Sequence, residues 1–190
     1  MPRPLLRAAA AALALAAPAL ARGDVTRAQV LDAIRVFEAN AVAGASSRSP
    51  GEANAAVARA SNLILRFAVE SADVVVDLGP DAVPWCDLKK GLPPNPTAGQ
   101  RGLLLAAYVS GCVSAQLQSG RQDPGPLEGW LAMLRVYRAM RATEGASIPE
   151  VEELLARQVN GSLGAYASDA HRRSLEHLRG RYGAPQAPQP

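Results

Sequence analysis

Few side chains in this sequence could do chemistry. Of its 190 residues, two are histidine and two are cysteine. His171 and His177 stand six apart, off the i, i+4 spacing that lets two imidazoles on one helix face share a zinc ion. Both fall in a basic stretch, His171-Arg172-Arg173 through Arg179-Gly180-Arg181. It reads as a solvated helix end whose cations suit the helix dipole. Its functional reading is contact with anionic lipid headgroups or an acidic partner. Glu70, Asp73, Asp77 and Asp81 form a loose acidic group. Two facing carboxylates can hydrolyse a glycan, and the plainer reading is solvation of a helix end and a turn. A cysteine nucleophile paired with a histidine is conceivable on paper, but a disulfide would consume the thiol. The sequence holds no G-x-S-x-G, Walker loop, dinucleotide fingerprint, EF-hand loop or paired C-x-x-C. It therefore predicts no catalytic residue, no metal site and no cofactor. Asn160-Gly161-Ser162 fits the glycosylation sequon and carries little weight beside a bacterial-looking export signal.

The amino terminus bears on where the chain works. Arg3 and Arg7 precede an apolar run, Ala8 to Leu20, that ends in the small-x-small sequence Ala19-Leu20-Ala21. These are the parts of a cleavable secretory leader, residues 1–21, cut after Ala21. The run is shorter than the roughly 20 residues a membrane span needs, so no integral anchor is expected after cleavage. No cysteine follows it to take a lipid. Without Arg3 and Arg7 the formal charge falls from +3 to near neutral. The mature chain then lacks the broad positive field that nucleic-acid binding relies on. Arginine and alanine richness, with lysine only at 89 and 90, matches the codon bias of a GC-rich bacterial genome. The expected location is periplasmic or secreted.

Export gives the cysteines a meaning. An even count in an oxidising compartment predicts one disulfide, Cys86 to Cys112. Closing a loop of about 27 residues would contribute about 3.5 kcal/mol on the chain-entropy view.

The elements that must position these residues read as helices. Thr97 with Gln100 forms a capping box, and Gly120 is placed to end the helix between them. That segment is apolar on every side, with Gly111, Ala106, Ala107 and Ala115 small enough for a neighbour to come close. Thr26 with Gln29 starts an earlier helix that ends near Ala43-Gly44, and Ser49-Pro50-Gly51-Glu52 starts another. Val74 to Val76 fits either a short extended piece or a last helical turn. Pro80 to Pro96 is a long Pro-rich loop carrying Trp85, Cys86 and Lys89-Lys90. It reads as structural cover, or as a binding lid. Asp123 is placed as an N-cap for the helix through Leu127 to Met140, which ends near Glu144-Gly145. Ser147 to Glu150 forms another capping box, Asn160-Gly161 weakens or breaks the helix that follows, and Gly180 ends it.

The sequence thus predicts an all-α protein, a compact bundle or helical-hairpin stack of five to six helices with one long Pro-rich loop. It holds a leader at 1–21, one helical domain at 22–181 and a disordered tail at 182–190. No period near 34 residues supports a tetratricopeptide-type repeat. The expected function is that of an exported helical binding protein with an envelope protein or peptide as partner. A groove lined by Trp85, Tyr108, Trp130 and Tyr137 would be its binding surface, although the same four are ordinary core residues. The alternatives are a glycan-acting enzyme using the 70–81 carboxylates and an inhibitor or immunity protein. Oligomeric state is not legible.

Overall fold

The computed structural model describes residues 25–46, 51–86, 97–123, 125–145 and 147–182. The expected leader, the latter part of the Pro-rich loop with Lys89-Lys90, and the expected tail beyond Tyr182 lie outside the described residues, as does the Ser49-Pro50 helix start. Among the described residues there are six α-helices: α1 (Arg27–Ser46), α2 (Gly51–Glu70), α3 (Ala98–Ser119), α4 (Leu127–Glu144), α5 (Pro149–Val159) and α6 (Leu163–Tyr182). No strand forms among the described residues, so the fold is all-α.

Local chemistry accounts for most of the boundaries. Thr97 and Gln100 close a reciprocal capping box on α3, and Gly120 ends it in the left-handed conformation, φ 67°. Thr26 and Gln29 do the same for α1, with the Thr26 N–H donating to Gln29 Oε1 at 2.9 Å. Gly145, φ 63°, ends α4. The break expected at Asn160-Gly161 is real, and Gly161 at φ 76° turns the chain from α5 into α6.

Two expected caps are corrected. Asp123 does not cap α4; its carboxylate accepts from the Gly125 N–H at 2.8 Å in a local turn, and Pro126 takes the cap position without a side-chain bond. Ser147 does not cap α5 either. Pro149 enters as the first helical residue, and buried Ile148 takes the cap position, its N–H donating to the Tyr137 hydroxyl at 3.0 Å. A proline there has no N–H to satisfy and a φ already suited to a helix. Helix α6 also continues through Gly180 to Tyr182, and α1 runs to Ser46.

Helices α1 and α2 pack as one pair and α3 and α4 as another, and the pairs meet through α1 with α4, α1 with α3 and α2 with α3. Helices α5 and α6 lie on α4 and on each other. The expectation of a helix enclosed by others holds for α3, where every residue from Ala106 to Val113 is buried. Gly111 makes the α3–α4 approach: a Cβ there would lie 2.4 Å from the Glu128 carbonyl oxygen and 2.7 Å from the Ala132 Cβ. Gly129 answers from α4, where a Cβ would fall 2.5 Å from the Tyr108 ring and 2.6 Å from the Cys112 sulfur.

Candidate functional site

The connection from α2 to α3 is the least regular described part, and α3 holds it through side chains. Helix α2 stops at Glu70, and residues 74–78 take no regular secondary structure. Gln116 holds that stretch. Its Oε1 accepts from the Val75 N–H at 2.9 Å, and its Nε2 donates to the Val75 carbonyl at 2.8 Å. A buried amide can satisfy both main-chain polar groups of one residue in this way, where an unpaired buried group would cost about 1–3 kcal/mol. The Tyr108 hydroxyl donates to the Asp77 carbonyl at 2.9 Å. Trp130 Nε1 donates from α4 to the Ala82 carbonyl at 2.7 Å. Arg101 donates to the Trp85 carbonyl, and Gln122, just past α3, to that of Ala72.

Residues 72, 75, 77 and 85 are therefore met by 122, 116, 108 and 101, so the segment runs antiparallel to α3. Every one of these bonds ends on main-chain atoms. Val74, Ala82, Val83 and Trp85 sink into the core, while Val75 is 42% exposed. A 3-10 turn, Pro84–Cys86, ends the described part of the connection, with the Trp85 ring edge-on to Tyr108 at 5.9 Å. Arg101 is closed to solvent, its Nε–H has no acceptor, and no carboxylate pairs with it among the described residues.

The acidic group does not assemble. Glu70 pairs with Arg66 at 3.0 Å on α2. Asp77 accepts from its own turn, the Gly79 N–H, at 2.8 Å. Asp81 crosses to α6, 2.9 Å from Arg173 and 3.4 Å from His177 Nδ1. Asp73 lies exposed beside Ser71. His171 is half-buried on α6, and His177 is exposed about one and two-thirds turns on. Among the described residues no group of three or more His, Cys, Asp and Glu gathers to hold a metal ion, and no helix is long and apolar enough to cross a membrane.

The expected disulfide is corrected: Cys86 and Cys112 are free thiols. Cys86 follows the residue that Arg101 holds, whereas Cys112 lies three turns further along α3, about 16 Å of rise, against Gly129 and hydrogen-bonded to Tyr108. Burial pushes the Cys112 thiol up to about 12 and the Cys86 thiol up to about 11, the latter eased by the Arg101 charge. Neither thiol is poised as a nucleophile near neutral pH.

The expected groove is corrected too. Trp85, Tyr108, Trp130 and Tyr137 are all fully buried, so they form core and line no open surface. Three of the four have bonded polar ends: besides the Tyr108 and Trp130 bonds above, the Tyr137 hydroxyl donates to Glu152 Oε1 at 2.6 Å, whereas the buried Trp85 Nε1–H meets no acceptor among the described residues.

Among the described aromatic side chains, Tyr166 is one that reaches the surface, and its sequence position reads only as part of a helix face. Tyr166 of α6 is half-buried, stacks on Trp130 at 5.6 Å, and carries the Arg157 guanidinium 3.9 Å from its ring centre, with that of Arg173 at 5.6 Å. Glu153 holds Arg157 at 2.7 Å, and Asp81 holds Arg173. Four elements thus meet in one patch of ring, guanidinium and carboxylate. The α3 clamp was equally missed, yet its signal was present: Arg101, Tyr108 and Gln116 share a helical stripe with Cys112. Polar heads along one stripe of an apolar helix mark something polar lying across it.

Comparison of the chain with protein families, with curated proteins and with solved structures finds no match.

Proposed function

We propose that the chain is an exported helical binding protein of the bacterial envelope, with another envelope protein or a peptide as partner and no reaction of its own. The observation that carries this reading is the Tyr166 patch. Tyrosine and arginine are the side chains that dominate contact energies. Here the ring is backed by Trp130, and both guanidiniums are held in place by carboxylates before any partner arrives. Such preorganisation lowers the entropy cost of binding. The leader-like residues 1–21 support export. The commitment of Glu70, Asp77 and Asp81 to separate neighbours favours binding over glycan hydrolysis.

A photo-crosslinking residue at His177, exposed beside this patch, tests the reading in the living cell. The expected result is one dominant adduct in the envelope fraction, on a chain that begins at Arg22, lost when Tyr166 and Arg157 are both replaced by alanine. An unprocessed chain in the cytosol without an adduct would overturn it, as would release of glycan fragments by the purified chain.

A further inference from the structure

The hold that α3 and α4 keep on residues 71–86 has the form of a bound peptide. From α3, α4 and Gln122, six hydrogen bonds from five side chains reach the segment and all six end on its main chain; α6 adds one that ends on a side chain, from Arg173 Nε to the Asp81 carboxylate. Recognition of this kind does not read the occupant's side chains, as in proteins that take extended peptides along a row of main-chain bonds. Specificity falls to the pockets filled by Val74, by Ala82 with Val83, and by Trp85. At the Trp85 end the fit is incomplete. Arg101 is a buried guanidinium that spends one N–H on a neutral carbonyl and leaves Nε–H without an acceptor. A carboxylate in place of that carbonyl would take two parallel N–H donors and supply the counter-charge that no described residue provides.

We propose that the cleft along α3 occupied by residues 71–86 is a peptide-binding cleft filled in cis, and that its partner is the extended C-terminal end of another polypeptide. That end carries a β-branched residue at the Val74 position and an aromatic last residue at the Trp85 position, with its free carboxylate on Arg101. The proposal rests on the binding reading above and adds the chemistry of the partner. The tethered segment competes at high effective concentration, so the cleft opens to a partner only when the cis occupant loosens.

The test uses the full chain and a labelled peptide of its own residues 71–85, made as free acid and as C-terminal amide. Trp85→Ala in the chain removes the aromatic anchor of the cis occupant and leaves the bonding residues of α3 and α4 intact. The free-acid peptide is expected to bind this variant at least about tenfold tighter than it binds the unaltered chain. Amidation should weaken it about ten- to a hundredfold, the loss of a charge-assisted pair. Adding Gln116→Leu should weaken both forms. Should Trp85→Ala not fold, Val83→Ala gives the same comparison with a smaller loss of packing. Equal binding of acid and amide overturns the carboxylate assignment. Absence of binding to every folded variant overturns the cleft, while an adduct at His177 in cells would leave the binding reading standing. Dimerisation of Trp85→Ala without peptide would make a second copy the occupant and overturn the foreign tail.

Discussion

Replacing Gly111 by alanine sets helix propensity against packing within a single helix. In an open helix interior the change should stabilise by roughly 1 kcal/mol. At Gly111 the new methyl would stand 2.4 Å from the Glu128 carbonyl oxygen and 2.7 Å from the Ala132 Cβ. Carbon and oxygen pack at about 3.3 Å or more, so α3 and α4 must part by roughly 1 Å. The obstacle is backbone and cannot rotate away. Overpacking of this kind costs about 1–3 kcal/mol, and the upper end applies here, for a net loss of roughly 2 kcal/mol after propensity. For a domain of this size that is a fall in Tm of about 4–8 °C. Gly102 lies nine residues earlier on α3, and a Cβ there meets nothing within 4 Å. Gly102→Ala should raise Tm by about 2–4 °C. Thermal and urea unfolding followed by helical circular dichroism measure both. Shifts of the same sign, or a neutral Gly111→Ala, would refute the close approach of α3 and α4.

The thiols set an alkaline limit. Burial holds Cys112 up to about 12 and Cys86 up to about 11. Between pH 9 and those values the folded chain keeps protons that the unfolded chain releases, so stability is whole below pH 9 and falls as pH rises toward 12. The fall should be on the order of 4 kcal/mol from Cys112 alone. At pH 8 a thiol reagent should titrate both cysteines in denaturant and neither quickly in the native chain; two fast equivalents without denaturant would contradict the burial. Asp81→Asn removes the links to Arg173 and His177, and because the Arg173 side chain is 40% exposed the change should cost about 1 kcal/mol or less. A larger loss in urea unfolding would mean that α6 depends on that carboxylate for its docking.

The helices were legible because their ends carry their own instructions. Thr26 with Gln29, Thr97 with Gln100, Gly120 and Gly145 each work through atoms within a few residues. Where tertiary contacts compete, local reading fails. Ser147 offers a hydroxyl, but buried Ile148 and its bond to Tyr137 decide where α5 begins. The valines at 74–76 left strand and helix open because the partner that settles the matter is a glutamine some 40 residues away, not a strand. The four aromatics gave the right residue types for a groove and the wrong exposure, since composition does not say which face a neighbour covers. The disulfide follows from cysteine count and compartment, neither of which says how far the Pro84–Cys86 turn sits from Cys112 on α3. Tyr166 reads in the sequence as one more position on a helix face; its arginines come from α5 and from further along α6.

Anchoring a segment by its main chain separates tolerance to substitution from tolerance to change of length. Positions such as Ala72, Asp73 and Val75 keep their carbonyls and amides whatever side chain they carry, proline at 75 apart, so their identities are free to drift. Adding or deleting one residue between Val75 and Trp85 would instead put the carbonyls on one side of the change out of register with their donors among Gln116, Tyr108, Trp130 and Arg101. Among descendants of this chain, spacing there should outlast spelling.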